Sequence, residues 1–119
     1  MSAQTETLRT LVSLLNARQP IDVARFFTPD FRLVQPGGVA QHGLKGARAM
    51  LDAMLALGPD VQVTILDTIE QADRVAVRYQ VASEQVRPPL SGAMIAIYRF
   101  VGGRIAEDWG VAARVAWTE

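Results

Sequence analysis

The chain has 119 residues, half of them hydrophobic and a fifth charged, enough for one hydrophobic core and too few for two. Twelve basic residues balance twelve acidic ones, so there is no net field to draw in nucleic acid or an anionic membrane surface. The absence of cysteine excludes disulfides, thiol catalysis and cysteine-ligated metal sites, and no apolar run approaches the length of a membrane span.

From Thr5 to Ala17, the residues Leu8, Leu11, Val12 and Leu15 recur at helical spacing, with Ser2 or Thr5 available as N-cap, and predict an amphipathic helix. Pro20 suits a first helical position, so Val23, Phe26 and Phe27 predict a second, short helix that Thr28-Pro29 stops. Phe31 to Gln35 alternates as a strand and Pro36-Gly37-Gly38 breaks it; the stretch up to His42 reads as loop. Gly43 to Gly46 leads into a third helix with Ala47, Met50, Leu51, Met54 and Leu55 inward, closed by Gly58-Pro59.

The remainder reads as strand: Val61 to Glu70, Arg74 to Gln85, Gly92 to Phe100 and Arg104 to Val115, joined by the short breaks Gln71-Ala72-Asp73, Arg87-Pro88-Pro89 and Val101-Gly102-Gly103. The expected order is ααβαββββ, an α+β fold whose last four strands form an antiparallel meander, in a single domain over residues 1–119. Met94-Ile95-Ala96-Ile97-Tyr98 is apolar on both faces, so each face needs cover. The helices supply one cover and a second copy of the chain is expected to supply the other, giving a homodimer through Ile95, Ile97, Trp109 and Val111. Met1-Ser2-Ala3-Gln4-Thr5-Glu6 lacks a charged-then-apolar signal pattern, so the expected location is cytoplasmic.

Three segments carry a family resemblance: Phe27-Thr28-Pro29-Asp30-Phe31, Gly43-Leu44-Lys45-Gly46-Ala47, and the run from Ile97-Tyr98-Arg99-Phe100 through Gly102-Gly103-Arg104-Ile105 to Glu107-Asp108-Trp109. With the element order they make the chain resemble the SnoaL-like branch of the nuclear transport factor two-like superfamily. That resemblance implies a cone: a curved, mostly antiparallel sheet wrapped around three N-terminal helices and enclosing an apolar pocket. The relatives include polyketide cyclases, ketosteroid isomerases, epoxide hydrolases and non-catalytic binding or dimerisation domains, so fold alone assigns no activity. The isomerase base falls on Gln35 and its oxyanion-hole acid on Ala96. The charged residues of the epoxide hydrolases fall on Tyr79, Val81 and Gly110. The cyclase acid/base falls on Gly110, with its pocket Gln and His near Met94 and Ala96. None of these positions keeps its charge.

The same resemblance, with strand alternation, faces Met94, Ala96 and Tyr98 into the pocket, together with Asp108, Gly110 and Ala112, and turns Glu107, Trp109 and Val111 outward. Leu11, Leu15, Phe27, Leu33, Gln35, Met50, Met54, Val77, Tyr79 and Val81 complete the expected lining. Asp108 is the expected catalytic residue, because a carboxylate on an apolar wall is costly to ionise and becomes a general acid or base; the competing reading is a solvated or structurally paired carboxylate. Gln35, Tyr79, Tyr98, Leu33, Met54 and Met94 are the expected ligand contacts, although both tyrosines also suit plain packing and Gln35 could pair with Asp108. Glu107 reads as an ion-pair partner of Arg78 or Arg99, with Trp109 buried at the dimer face. His42 alone, without spaced partners, makes no metal site, and no cofactor is expected. Two functions stand open: a cofactor-free cyclase, isomerase or lyase acting on a small apolar oxygenated molecule, or a non-catalytic ligand-binding or dimerisation domain.

Overall fold

The computed structural model describes residues 2–114, and side chains as far as residue 111. Helix α1 (Ala3–Asn16) starts where the Ser2 side chain accepts from the Thr5 amide at 3.1 Å, satisfying one of the unpaired N–H groups of its first turn. Its buried stripe is Leu8, Leu11 and Leu15. The Asn16 amide then pairs twice with Val63, donating to its carbonyl and accepting from its N–H, both at 2.8 Å. A side chain thus stands in for a strand and ties the end of α1 to the sheet edge. Helix α2 (Val23–Phe26) is a single turn capped by Asp22, after which the chain extends at once into β1 (Phe27–Gln35).

Two elements depart from the expected order. Gly38–His42 is a strand, β2, paired antiparallel with β1, so the observed order is ααββαββββ. Pro36-Gly37 is a hairpin turn and not the end of regular structure; φ of 103° at Gly37 and 127° at Gly38 is the conformation that only glycine adopts without strain. The strand gave no alternating signal because it lies at the sheet edge with most side chains in solvent. Phe27 to Asp30, expected as helix end and turn, are the first residues of β1.

Helix α3 (Gly43–Leu55) follows, and then β3 (Gln62–Gln71), β4 (Arg74–Ser83), β5 (Leu90–Val101) and β6 (Arg104–Arg114) form the expected meander. The expected end of β6 at Val115 lies outside the described residues. The six strands lie in the order β2-β1-β6-β5-β4-β3, antiparallel throughout except for β1 against β6. The chain is therefore an α+β fold with three helices against one curved sheet, the cone-like arrangement expected of the fold family.

The core sits between helices and sheet, where Leu8, Phe26, Phe27, Phe31, Val75 and Ile105 are all essentially buried. Phe27 and Phe31 meet edge to face with centroids 4.8 Å apart. The β5–β6 hairpin turns at Gly102-Gly103, both at positive φ. Its register shifts by one residue between Arg99 and Phe100, so the irregularity falls before Asp108 and leaves the facing of the later residues intact.

Candidate functional site

Beyond that irregularity, register decides the site. Tyr98 pairs with Asp108, Ala96 with Gly110, and on the neighbouring strand Tyr79 pairs with Met94. On its other side Asp108 sits beside Leu33 of β1 through the parallel pairing. Side chains on one face alternate, so Asp108, Tyr98, Tyr79, Met94 and Leu33 are brought to the concave side, under α1 and α3.

There they border a cavity of about 240 Å³. Leu11, Val12 and Leu15 of α1 and Met50, Leu51 and Met54 of α3 form its helical wall; Phe27, Val63 and Ala96 add apolar surface from the sheet. The expected contacts Gln35, Tyr79, Tyr98, Leu33, Met54 and Met94 all lie on this lining, with Asp108 among them and Gln35 at its exposed end. Val77 and Val81 do not line it: they are buried in the core instead. Val12, Leu51 and Val63 were missed, although the apolar spacing of their elements placed them in the core. Val111, expected outward, is half exposed yet also borders the cavity. The side chain of Ala112 lies outside the described residues. His42 is exposed at the end of β2 and takes no part in the lining.

The polar groups of the cavity are few and differ in how they are satisfied. The Tyr79 and Tyr98 hydroxyls hydrogen-bond each other at 2.7 Å, and burial pushes both phenols well above their ordinary range, so they stay protonated. Asp108 is 6% exposed, and its Oδ1 is buried without a hydrogen-bond partner. It pairs with neither Gln35 nor a tyrosine. Burial alone pushes its carboxyl up to about 7, which places it between acid and base at neutral pH. Gly110 keeps the space next to it open: a Cβ there would lie 3.2 Å from Asp108 Oδ1. No group of His, Asp and Glu among the described residues is arranged to hold a metal ion.

The convex face has a different chemistry. Glu107 accepts from Arg99 Nε at 2.7 Å and from Arg32, and these two guanidinium groups hold its carboxyl down to about 2. Arg32 replaces the expected Arg78, which pairs with Asp67 at 3.0 Å on the adjacent hairpin. The parallel β1–β6 pairing sets Arg32 directly beside Glu107, a proximity that exists only in the folded sheet. A carboxylate whose folded pKa is depressed adds stability above its unfolded value. Glu107→Gln is therefore expected to cost about 1–3 kcal/mol at pH 7. It should also remove the stability that the wild type loses as pH falls from about 4.5 towards 2. Denaturant titrations at several pH values read both.

The family model of the SnoaL-like domain matches residues 8–108. The chain belongs to this family. The fold is also similar to solved structures of low identity. One is AclR, a candidate hydroxylase from Streptomyces galilaeus, at 18% identity and TM-score 0.78 over 93% of this chain and 79% of that one. A second is wild-type IdmH, a candidate polyketide cyclase from Streptomyces antibioticus, at 21% identity and TM-score 0.73 over 92% and 91%. A third is TerC, crystallised with polyporic acid, at 16% identity and TM-score 0.73 over 92% and 91%. At such identities the likeness establishes the fold. No curated protein sequence matches the chain. Among the described residues of this SnoaL-like chain, no helix is long and apolar enough to cross a membrane.

Proposed function

We propose that this SnoaL-like protein binds a small, apolar, oxygen-bearing molecule in the concave cavity and acts on it as a cofactor-free cyclase, isomerase or lyase. Asp108 is its acid/base. The observation that carries this reading is the unpartnered, buried Asp108 Oδ1 on an otherwise apolar wall beside the open space at Gly110. A buried polar atom without a partner costs about 1–3 kcal/mol, a cost that a ligand or water in that space would relieve. The candidate cyclase IdmH and TerC, co-crystallised with polyporic acid, lend support by likeness of fold. Thermal-shift screening with aromatic ketones, lactones and terpenoids, followed by product analysis, tests the proposal. A ligand at a hundredfold its Kd stabilises the fold by about 2.7 kcal/mol. Asp108→Asn is expected to lower turnover about 100-fold or more. Binding without turnover for every ligand found would instead favour the non-catalytic reading.

The convex face supports a second copy of the chain as partner. Ile97 lies beside Trp109 and Ile95 beside Val111 on adjacent strands, and all four are 41–53% exposed, forming one apolar patch on the solvent side of the sheet. Trp109, expected to be buried at the dimer face, is 47% exposed within one chain, an exposure that a second copy on this face would remove. Light scattering at micromolar concentration is expected to give twice the chain mass, and Trp109→Asp to halve it. A monomeric wild type would overturn the assembly.

A further inference from the structure

The convex patch and the concave cavity meet at one place, and the inference drawn from that meeting rests on both readings above, ligand binding and assembly. Register carries the patch beyond its four central residues. Ile69, Ala76, Ile97, Trp109, Val34 and Val39 are successive cross-strand neighbours from β3 to β2, one row that is apolar on all six strands. Its two ends are open to solvent, with Ile69 75% exposed and Val39 50%. Five interstrand spacings of about 4.8 Å make the row roughly 24 Å long. That span suits a standard interface of about 800 Å² per partner better than it suits a single extended peptide.

The rows on either side of it differ. Towards the β5–β6 hairpin lie Gln71, Arg74, Arg99, Glu107, Arg32 and His42, polar on every strand. On the other side Asp67 and Arg78 pair with each other, while Ile95 and Val111 continue the apolar surface on β5 and β6. The patch is therefore bounded at the hairpin and extends towards Val111. There the sheet parts. Strand β1 last pairs with β6 at Val34 and Trp109 and then turns away at Pro36-Gly37, whereas the β6 backbone continues to Arg114 with β5 as its one partner among the described residues. Gln35, Gly110 and Val111 border the cavity beside this gap, and Val111 is also half exposed on the convex side. One side chain thus belongs to the cavity wall and to the apolar patch at once.

A row that is apolar throughout is complementary to itself under two-fold rotation. An axis parallel to the strands and midway between β5 and β6 sets Ile97 against the partner's Trp109 and Ile95 against the partner's Val111. We propose that a second copy of the chain, seated on this row, closes the gap at Val111 and completes the cavity wall, so that assembly and ligand binding strengthen each other. A ligand in the closed cavity loses the apolar area that the gap leaves in water, and this added burial is the source of the coupling.

The test uses N-phenyl-1-naphthylamine, an uncharged apolar fluorophore, as probe. Wild-type protein diluted across its monomer–dimer transition is expected to bind it roughly tenfold more weakly as monomer than as dimer. By reciprocity, sedimentation at saturating probe should show the dimer dissociating with a Kd lower by roughly 100-fold, about tenfold for each of its two cavities. Ile97→Asp, in the middle of the row and off the cavity lining, should be monomeric, bind the probe as weakly as the diluted wild type and keep its circular dichroism spectrum. Ala96→Leu, which fills the cavity, should lose the probe and remain a dimer. Equal probe affinity in monomer and dimer, or a dimer Kd that the probe leaves unchanged, overturns the inference and leaves the ligand-binding and assembly readings standing. Undiminished binding by Ala96→Leu overturns it as well, because the probe then sits on the convex row, as does a dimer that fails to take up the probe. A wild type that is monomeric at every concentration overturns it together with the assembly reading. The acid/base reading fails by a different result, the absence of turnover.

Discussion

Asp108→Asn is expected to make the protein more stable than the wild type above pH 7, by roughly 3–5 kcal/mol, or on the order of 10 °C in Tm. The wild-type carboxyl ionises near pH 3.8 in the unfolded chain and near 7 in the folded one, because burial disfavours the charged form. A folded pKa raised in this way means that folding must oppose ionisation. The cost is absent below about pH 3.8, grows as pH rises through the window, and is complete above about 7. Asparagine keeps the shape and never ionises, so the two proteins should converge in acid and separate as pH climbs. Urea titrations of both across pH 4 to 9 measure the difference. Superimposable pH profiles would identify Asp108 as a solvated carboxylate and remove the basis of the acid/base proposal. A gain in stability joined to a loss of turnover is what a residue retained for chemistry shows.

Phe27→Ala carries the other large effect, a loss of about 3–5 kcal/mol. Phe27 is fully buried, contacts Phe31 edge to face, and stands where α2 passes directly into β1, so no neighbouring side chain can collapse into its place without moving one of those elements. It also borders the cavity, and its removal enlarges the space in which a ligand is held. The variant should therefore lose stability and ligand affinity together. Phe27→Leu, which leaves a smaller void, should retain most of both. Denaturant midpoints and probe affinity for the two variants decide the matter; an alanine variant of wild-type stability would mean that the aromatic pair contributes nothing to the core.

Much of this architecture was legible locally. Helix α1 announces itself through Leu8, Leu11 and Leu15 at one face and Ser2 at the cap, and the hairpin at Gly102-Gly103 through residues that tolerate positive φ. Strand alternation was enough to place Tyr98, Ala96 and Met94 on one face of β5 and Ile95 and Ile97 on the other. Asp108 stood out only once the family resemblance, with strand alternation, set it on the inward side of the last strand, where a lone acid interrupts an apolar wall. Strand β2 escaped notice for the converse reason: Gly38 to His42 is exposed on an edge, and an exposed edge strand needs no hydrophobic periodicity.

What the sequence determined by itself was three helices and five of the six strands with their apolar faces, since each depends on residues within a few positions of one another, together with the absence of thiol chemistry; the family resemblance added the inward facing of Asp108. The tertiary structure decided which residues meet. The parallel pairing of β1 with β6 joins residues about seventy-five positions apart, and it alone puts Arg32 rather than Arg78 on Glu107 and Leu33 beside Asp108. The one-residue register shift in the last hairpin could have inverted the facing of Asp108; it falls just before that residue, so the carboxyl enters the cavity without a partner. No local pattern encodes either outcome, because register and desolvation are set by contacts between strands that are distant along the chain.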